Sequence, residues 1–263
     1  MGKIIFKIWI VFLCVFLSQF FSSQTYELVY AVEFKPKIGS DSIANENYIL
    51  RFDASKKKSI FIFTKDNNLN TIIHKKFAEK EFLEYESILQ KFYHSNFSFD
   101  PTKWKLINDE KIILGYTCRK GTINFGDRDW EAWYTTDIPF SDGPYKFSGL
   151  PGLILEIKSV DNDYSFSAIA LQKTNNEILN NLNSTFIKTD EKKIELKKQI
   201  IKDPASQYRA QVLQLKNNNM SVGVTYNGKT ITNRDIENSI IKDFNNWMKE
   251  NNNPIEKDKI WIK

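Results

Sequence analysis

The chain has 263 residues, which is enough for one large domain, or a domain with an appendage, with a buried core. An aromatic content of 14% excludes a disordered polymer. A formal net charge of only +5 excludes the strongly basic surface typical of nucleic-acid-binding proteins, so we expect no nucleic-acid partner.

The first 23 residues have the pattern of a secretory signal peptide. Two lysines precede an apolar run over residues 8–17, and small residues end the segment at Ser23. Because this run is short for a membrane span, we expect cleavage after Ser23, with an uncleaved anchor as the alternative. Cleavage removes two lysines and no acid, so the net charge falls from +5 to +3. The mature chain is then exported without a stable transmembrane segment, and is periplasmic, associated with the outer membrane or secreted.

Alternating apolar residues predict that residues 24–175 form a β-rich core. The segment 76–93 departs from this pattern, because its apolar residues are spaced at three and four, as in an amphipathic helix. The remaining segments are typical of an antiparallel meander. Its strands are expected at residues 26–34, 48–52, 59–63, 111–125, 130–135, 153–159 and 164–171.

Residues 176–263 are rich in Asn, Lys and Glu, and we predict a mainly helical extension packed on the core. Helices are expected at 191–202 and 205–215, with Asp203 as the N-cap of the second helix. A β-hairpin turn is expected at residues 227–228, where the sequence reads Asn-Gly.

A last helix is expected after Thr232, which can form a capping box with Asp235. Its apolar face would consist of Ile236, Ile240, Phe244, Trp247 and Met248. The sequence therefore predicts an α+β fold. We expect a curved, mainly antiparallel sheet resembling an open half-barrel, with one helix from the first half and the C-terminal helices packed on it.

A rare hexapeptide follows the predicted strand 130–135, and it contains no acid, base, nucleophile or metal ligand. It consists of Gly149, Leu150, Pro151, Gly152, Leu153 and Ile154. Pro151 and Gly152 are expected at the centre of a type II turn, with the aliphatic residues anchored in the core. Residues 143–154 are predicted to be a rigid, buried crossing between two strands. The alternative is that they form the lip of a ligand-binding mouth.

The hexapeptide and the aromatic run Trp-Glu-Ala-Trp-Tyr at 130–134 resemble the GLPGLI family, exported proteins of Bacteroidetes. The segment 252–256, Asn-Asn-Pro-Ile-Glu, resembles a recurring ending of the same family. The resemblance covers most of the mature chain. It implies an exported or envelope protein without an established activity, of a kind often considered alongside outer-membrane TonB-dependent transporters.

Few residues are suited to metal binding or nucleophilic catalysis. His74 and His94 are the two histidines, expected to be exposed at the ends of the predicted helix, and with Cys118 they lack metal-like spacing. We therefore expect no metal and no other cofactor. Cys118 lies in an apolar strand, which predicts a buried, unreactive thiol. We assign no catalytic residue.

Asp129 and Glu131 would share one face of a strand, with Trp130 on the other. Two carboxylates beside tryptophan are typical of sites that cleave sugars, so an envelope hydrolase using this pair is the alternative function. The adjacent Arg128 and the position at a strand start favour solvated acids instead.

Five aromatic residues around the hexapeptide can line an apolar cavity or belong to the core. They are Trp130, Trp133, Tyr134, Tyr145 and Phe147. With the predicted export signal, they favour a non-enzymatic binding or accessory protein. Its partner would be an apolar ligand or an outer-membrane protein of the TonB-dependent transporter type. The sequence makes no prediction of the oligomeric state.

Overall fold

A computed structural model describes residues 24–63, 71–88, 91–178, 182–218, 224–226 and 229–259. The predicted signal peptide 1–23 and the predicted turn 227–228 lie outside the described residues. In the described part of the chain the fold is α+β, and its main element is one curved, open sheet of twelve strands followed by three helices.

The twelve strands are β1 (Thr25–Phe34), β2 (Ala44–Asp53), β3 (Lys58–Phe63), β4 (Thr71–Lys76), β5 (Glu81–Ile88), β6 (Lys91–Asn96), β7 (Lys105–Ile113), β8 (Tyr116–Phe125), β9 (Arg128–Thr135), β10 (Leu153–Ser159), β11 (Tyr164–Thr174) and β12 (Thr185–Phe186). Their order in the sheet is β12-β6-β5-β4-β3-β2-β1-β11-β10-β9-β8-β7. The short β12 runs parallel to β6, and the other neighbouring pairs are antiparallel. The strands predicted at 26–34, 48–52, 59–63, 130–135, 153–159 and 164–171 are confirmed.

The helices are α1 (Asp190–Lys202), α2 (Ser206–Asn217) and α3 (Asn233–Glu250). A separate two-stranded sheet pairs β13 (Val224–Tyr226) with β14 (Lys229–Ile231) in antiparallel orientation. The capping box of Thr232 and Asp235 is confirmed. The prediction for Asp203 is wrong, because this residue caps the C-terminus of α1 and α2 begins after Ala205. Among the described residues, no helix is long and apolar enough to cross a membrane.

The helix predicted at 76–93 is wrong, because this segment contains the end of β4, all of β5 and the start of β6. In β5, Leu83 and Tyr85 face an apolar cluster, whereas Glu84 and Glu86 face lysines of α1. Residue types therefore alternate along the strand as a sheet requires. The alternation extends only over residues 83–86, and Phe82, Tyr85 and Leu89 also fit the spacing of a helix, which is why the sequence suggested one.

The single strand predicted at 111–125 is also wrong. The chain turns at Leu114 and Gly115, which both have positive φ, so that β7 and β8 form a hairpin. Two consecutive positive φ values are typical of the two-residue turns that join antiparallel strands. β7 lies at the edge of the sheet, and its register with β8 shifts between Ile107 and Glu110.

The core lies on one face of the central strands, where β1, β2 and β8–β11 meet the segment 140–150. Leu28, Tyr30 and Val32 of β1 point into it, as their alternation predicted. The segment 140–150 is almost entirely buried, although it forms no regular strand. The sheet thus holds an irregular loop in its interior, and this loop carries part of the candidate site.

Candidate functional site

The hexapeptide ends the buried loop, and residues 143–154 form a mostly buried crossing between β9 and β10, as predicted. The rigidity of this crossing stays a prediction. The predicted type II turn is wrong. The Gly152 N–H donates to Leu150 O at 2.7 Å, which closes a tighter three-residue turn around Pro151. The Leu153 N–H, which a type II turn would use, donates instead to Ile138 O at 3.2 Å.

Glycine is required at two positions of the hexapeptide because the backbone approaches other atoms closely. A Cβ on Gly152 would lie 1.9 Å from Thr135 O. A Cβ on Gly149, where φ is +90°, would lie 2.3 Å from Cβ of Pro101. The hexapeptide therefore stabilises the position of the loop between β9 and β10.

Three of the five aromatic residues belong to β9 and lie on both of its faces, whereas Tyr145 and Phe147 belong to the buried loop. Trp130 and Tyr134 point into the core, where the Trp130 ring lies 4.8 Å from Phe147. Trp133 lies on the opposite face, beneath Lys111 Nζ at 4.5 Å from its ring centroid. Of these five residues, Tyr145 lines the two cavities described below, whereas Trp130 and Phe147 are core residues.

The two acids of the alternative hydrolase lie on the face that carries Trp133. Asp129 is exposed and accepts a hydrogen bond from Asn124 Nδ2 at 2.8 Å. Glu131 lies 3.0 Å from Lys120 Nζ, and its side chain is 45% exposed. Both acids are therefore solvated and outside the described cavities, as expected for carboxylates at a strand start.

A cavity of about 630 Å³ lies between β5, α1, the buried loop and residues 254–259. β5 contributes two acids on one face, because Glu84 and Glu86 are two residues apart. α1 contributes Lys193 and Lys197, which share a helix face at a spacing of four. The buried loop contributes Tyr145 and Lys146, and the C-terminal segment contributes Glu256.

These side chains form one network of ion pairs. Lys146 Nζ lies 2.9 Å from Glu84 and 2.6 Å from Glu256. On the other side, Lys193 Nζ lies 2.7 Å from Glu84 and 2.5 Å from Glu86, and Lys197 Nζ lies 2.9 Å from Glu86. The side chains are almost completely buried, so each charge depends on its neighbours.

The network keeps its members charged despite their burial. Burial opposes the charge of Lys146, but Glu84 and Glu256 together raise its pKa above the ordinary value. Burial also opposes the charge of Glu84, and Lys146 and Lys193 reverse this effect and lower its pKa. Burial, and then the charges of Glu256 and Glu84, raise the pKa of Tyr145, which therefore stays a hydrogen-bond donor.

A second, apolar cavity of about 210 Å³ adjoins the first. It shares Tyr145 and Ile255 with the larger cavity of about 630 Å³, which is here called the charged cavity. The other lining residues come from the central strands β1, β2, β3 and β11. They are Val32, Phe34, Tyr48, Phe61, Tyr164 and Phe166. The two cavities together offer an aromatic pocket next to a set of buried charges.

Residues 253–257, here called the C-terminal strap, lie over both cavities. The strap is anchored at its start, where the Asn253 N–H donates to Pro36 O at 3.0 Å and Asn253 Nδ2 donates to Lys35 O at 2.9 Å. At its end, the Lys257 N–H donates to Gly126 O at 2.7 Å. Ile255 and Glu256 lie between these anchors and face the cavities.

Arg128 anchors the strap through hydrogen bonds to Asn253 and Pro254. Its buried guanidinium donates to the Asn253 side chain, to Pro254 O at 3.0 Å and to Asp163 at 3.1 Å. It also pairs with Asp161. Burial opposes the charge of Asp161, but hydrogen bonds from Lys257 and Ser159 and the Arg128 charge hold its pKa at about 2.

Sequence reasoning missed the charged cavity. The incorrect helix at 76–93 concealed the pairing of Glu84 and Glu86, and no local pattern links them to Lys146 or to α1. One signal was present, because the segment 252–256 resembled a family ending. The structure shows that this segment forms most of the strap.

The residues considered for metal binding are separated. His74 is buried in β4 and His94 is half-buried in β6, so the expectation of exposed helix ends is wrong. Cys118 is buried as predicted, and burial raises its pKa to about 11. Within the described ranges, no group of three or more His, Cys, Asp or Glu residues could hold a metal ion.

The central part of the chain, residues 126–156, matches a known family model. Its description is "Protein of unknown function (Porph_ging)", and the matched segment includes β9, the buried loop and the hexapeptide. No curated protein sequence matches the chain.

Comparison with solved structures shows that about two thirds of this chain share a fold with part of PNGF-II. PNGF-II, in the C2 and P21 space groups, has TM-scores of 0.53 and 0.52 with 18% and 19% identity. Each match covers 66% of this chain and 33% of PNGF-II, so this chain spans about a third of that protein. A domain described as an outer membrane lipoprotein-sorting protein from Vibrio parahaemolyticus has a TM-score of 0.32 and 9% identity, covering 61% of this chain and 89% of the domain.

Proposed function

We propose that this protein is a non-enzymatic binding protein of the cell envelope, and that its ligand has an apolar part which enters the aromatic pocket. The observation that carries the proposal is the cavity of about 210 Å³ beneath Tyr145 and Ile255. An engineered apolar cavity of roughly 150 Å³ is large enough to bind benzene. The pocket therefore has room for a small apolar group, and the charged cavity beside it can receive a polar one.

The predicted signal peptide supports export, to the periplasm, the outer membrane or the medium. The family match at 126–156 includes the hexapeptide and supports membership of the GLPGLI family. We also retain the division of the mature chain into a core, 24–175, and an extension, 176–263. Mild proteolysis that cleaves near residue 175 and leaves a folded core would support this division.

No observation favours the alternative hydrolase. Asp129 and Glu131 have partners of their own and line neither of the two cavities. The acids that do line a cavity are paired with lysines. An acid held in its charged form by a buried lysine is poorly suited to donate a proton.

The proposal is tested with delipidated protein comprising residues 24–263 and the fluorescent apolar probe 1-N-phenylnaphthylamine. We expect saturable binding.

Val32→Phe fills the pocket from β1 and should weaken binding about tenfold, which corresponds to about 1.4 kcal/mol. Ile169→Phe, at a half-exposed position of β11 outside the pocket, is the matched control and should bind like the unsubstituted protein. Thermal unfolding of each variant separates pocket filling from loss of folding. Absence of saturable binding, or equal binding by Val32→Phe, contradicts the proposal.

An outer-membrane partner of the TonB-dependent transporter type remains a separate prediction. Crosslinking in intact cells followed by purification from outer membranes is the direct measurement. We expect one crosslinked partner of transporter size, and recovery of the uncrosslinked chain alone would contradict this prediction.

A further inference from the structure

Two consecutive side chains of the C-terminal strap occupy the two parts of the candidate site. Ile255 lines the apolar pocket. Next to it, a carboxylate oxygen of Glu256 accepts hydrogen bonds from Tyr145 Oη at 2.5 Å and from Lys146 Nζ at 2.6 Å. The strap therefore presents an apolar group followed by a carboxylate, each in an environment that matches it.

The charges around the larger cavity balance only when Glu256 is present. Three glutamates, at 84, 86 and 256, face three lysines, at 146, 193 and 197. The other charged residues that line the cavity, Asp258 and Lys259, are exposed and opposite in sign. Withdrawal of Glu256 would leave three buried cations facing two anions. An unpaired buried charge costs several kcal/mol, so whatever replaces Glu256 must carry negative charge.

The groups that receive Glu256 are held in place by other parts of the chain. Lys146 Nζ remains 2.9 Å from Glu84. The buried loop on which Tyr145 and Lys146 lie is fixed by a turn, in which the Phe147 N–H donates to Pro144 O at 3.1 Å. A hydroxyl donor and a cation would therefore stay in position if the strap moved away. Such preorganised donors bind an anion without the loss of conformational freedom that a flexible site incurs.

We propose that Ile255 and Glu256 are an internal substitute for the ligand, and that the ligand is an apolar molecule with a carboxylate head. Its carboxylate takes the place of Glu256 at Tyr145 and Lys146, and its apolar part takes the place of Ile255 at the aromatic pocket. This inference rests on the proposed binding function and specifies the chemical class of the ligand.

The test compares decanoate with decanol as competitors of bound 1-N-phenylnaphthylamine, using unsubstituted protein of residues 24–263. We expect decanoate to displace the probe at a concentration at least about tenfold lower than decanol. Equal competition by the two compounds overturns the inference and leaves the proposed function intact. Absence of probe binding overturns the proposed function itself. This comparison needs no variant, so it does not depend on whether a substituted chain folds.

Variants then test the role of the strap. Glu256→Gln keeps the size of the side chain and removes its charge, so we expect tighter binding of decanoate, by about tenfold, and little change for decanol. Glu250→Gln, an exposed member of an ion pair with Lys37, is the matched control and should change the binding of neither compound.

Ile255→Ala should improve the binding of both compounds, because it vacates part of the pocket. Unchanged competition by decanoate in both strap variants would show that the strap is structural and would overturn the inference.

Discussion

Lys75 Nζ lies 2.5 Å from Asp142 Oδ1, and neither side chain is exposed to solvent. The lysine belongs to β4 and the aspartate to the buried loop. Lys75 Nζ also donates to Gly143 O and Phe147 O, each at 3.0 Å, so its three protons are all used. This ion pair fixes the loop that carries Tyr145 and Lys146 and thereby positions one side of the candidate site.

Asp142→Asn should therefore destabilise the fold. It leaves the Lys75 ammonium buried without a counterion, and loss of one partner of a buried pair costs about 3–5 kcal/mol. Urea denaturation measures the free energy of unfolding. Lys37→Met, which breaks an exposed pair with Glu250, is the control and should cost less than about 1 kcal/mol. A similar small loss in both variants would mean that the buried pair does not hold the loop.

His74 should make the protein less stable in mildly acidic solution. Burial, and then the charges of Lys76 and Lys58, lower its pKa from 6.5 to about 4. Below pH 6.5 the unfolded chain therefore binds a proton that the folded chain does not. The free energy of unfolding should fall as the pH decreases from about 6.5 towards 4, by up to about 3 kcal/mol.

The comparison of His74→Phe with the unsubstituted protein isolates this contribution. The variant keeps an aromatic ring in β4 but has no proton to bind. Urea denaturation at several pH values from 4 to 7.5 should show a shallower decline in the variant. Parallel curves for the two proteins would exclude His74 as the source.

Replacing either glycine of the hexapeptide by alanine should destabilise the fold, but for different physical reasons. Gly152→Ala places a methyl group against Thr135 O and should cost at least about 3 kcal/mol. Gly115→Ala is the control for backbone strain. Its φ of +82° is similar to that of Gly149, but its surroundings are open, so we expect a loss of about 1–2 kcal/mol. Gly149→Ala adds a contact with Pro101 and should lie above this control. Equal losses at all three positions would show that close packing around the hexapeptide is unimportant.

Arg128→Met should release the strap. It removes the donors to Asn253 and Pro254 O and leaves Asp163 and Asp161 without their buried cation. We expect a loss of about 3 kcal/mol in the free energy of unfolding and faster hydrogen exchange at the amides of Asn253 and Lys257.

The matched control is Arg119→Met, which breaks an exposed pair with Glu110 and should change stability by less than about 0.5 kcal/mol. Slow exchange in the strap of Arg128→Met would show that the backbone bonds to Pro36 and Gly126 suffice without the arginine.

The central strands could be predicted because one of their faces is apolar and the other is not. In β1, Leu28, Tyr30 and Val32 alternate with half-buried or exposed residues, and this pattern depends only on neighbouring positions. β5 was not recognised in this way, because its alternation extends over only four residues and Phe82, Tyr85 and Leu89 also fit the spacing of a helix. Its polar face is buried by lysines of α1 that lie more than a hundred residues further along the chain. A local pattern contains no information about such distant partners.

The same reasoning explains the outcome at the hexapeptide. Pro151 and Gly152 correctly predicted a turn, because proline fixes its own φ and glycine tolerates φ values that other residues avoid. The kind of turn is set by Ile138 O, which takes the Leu153 N–H, and by Thr135 O, which leaves no room for a side chain at Gly152. The charged cavity is lined by residues of β5, the buried loop, α1 and the strap. These residues become neighbours only when the chain is folded.

The position of the strap has a consequence for the order of events during folding. Strands β1 to β11 can form from residues up to 174, but the pocket stays uncovered until residues 253–257 have reached Lys35, Pro36 and Gly126. An apolar molecule present during this interval would meet an open aromatic surface. Because Ile255 and Glu256 compete with the ligand for the same groups, the strap would close only after such a molecule has left the pocket.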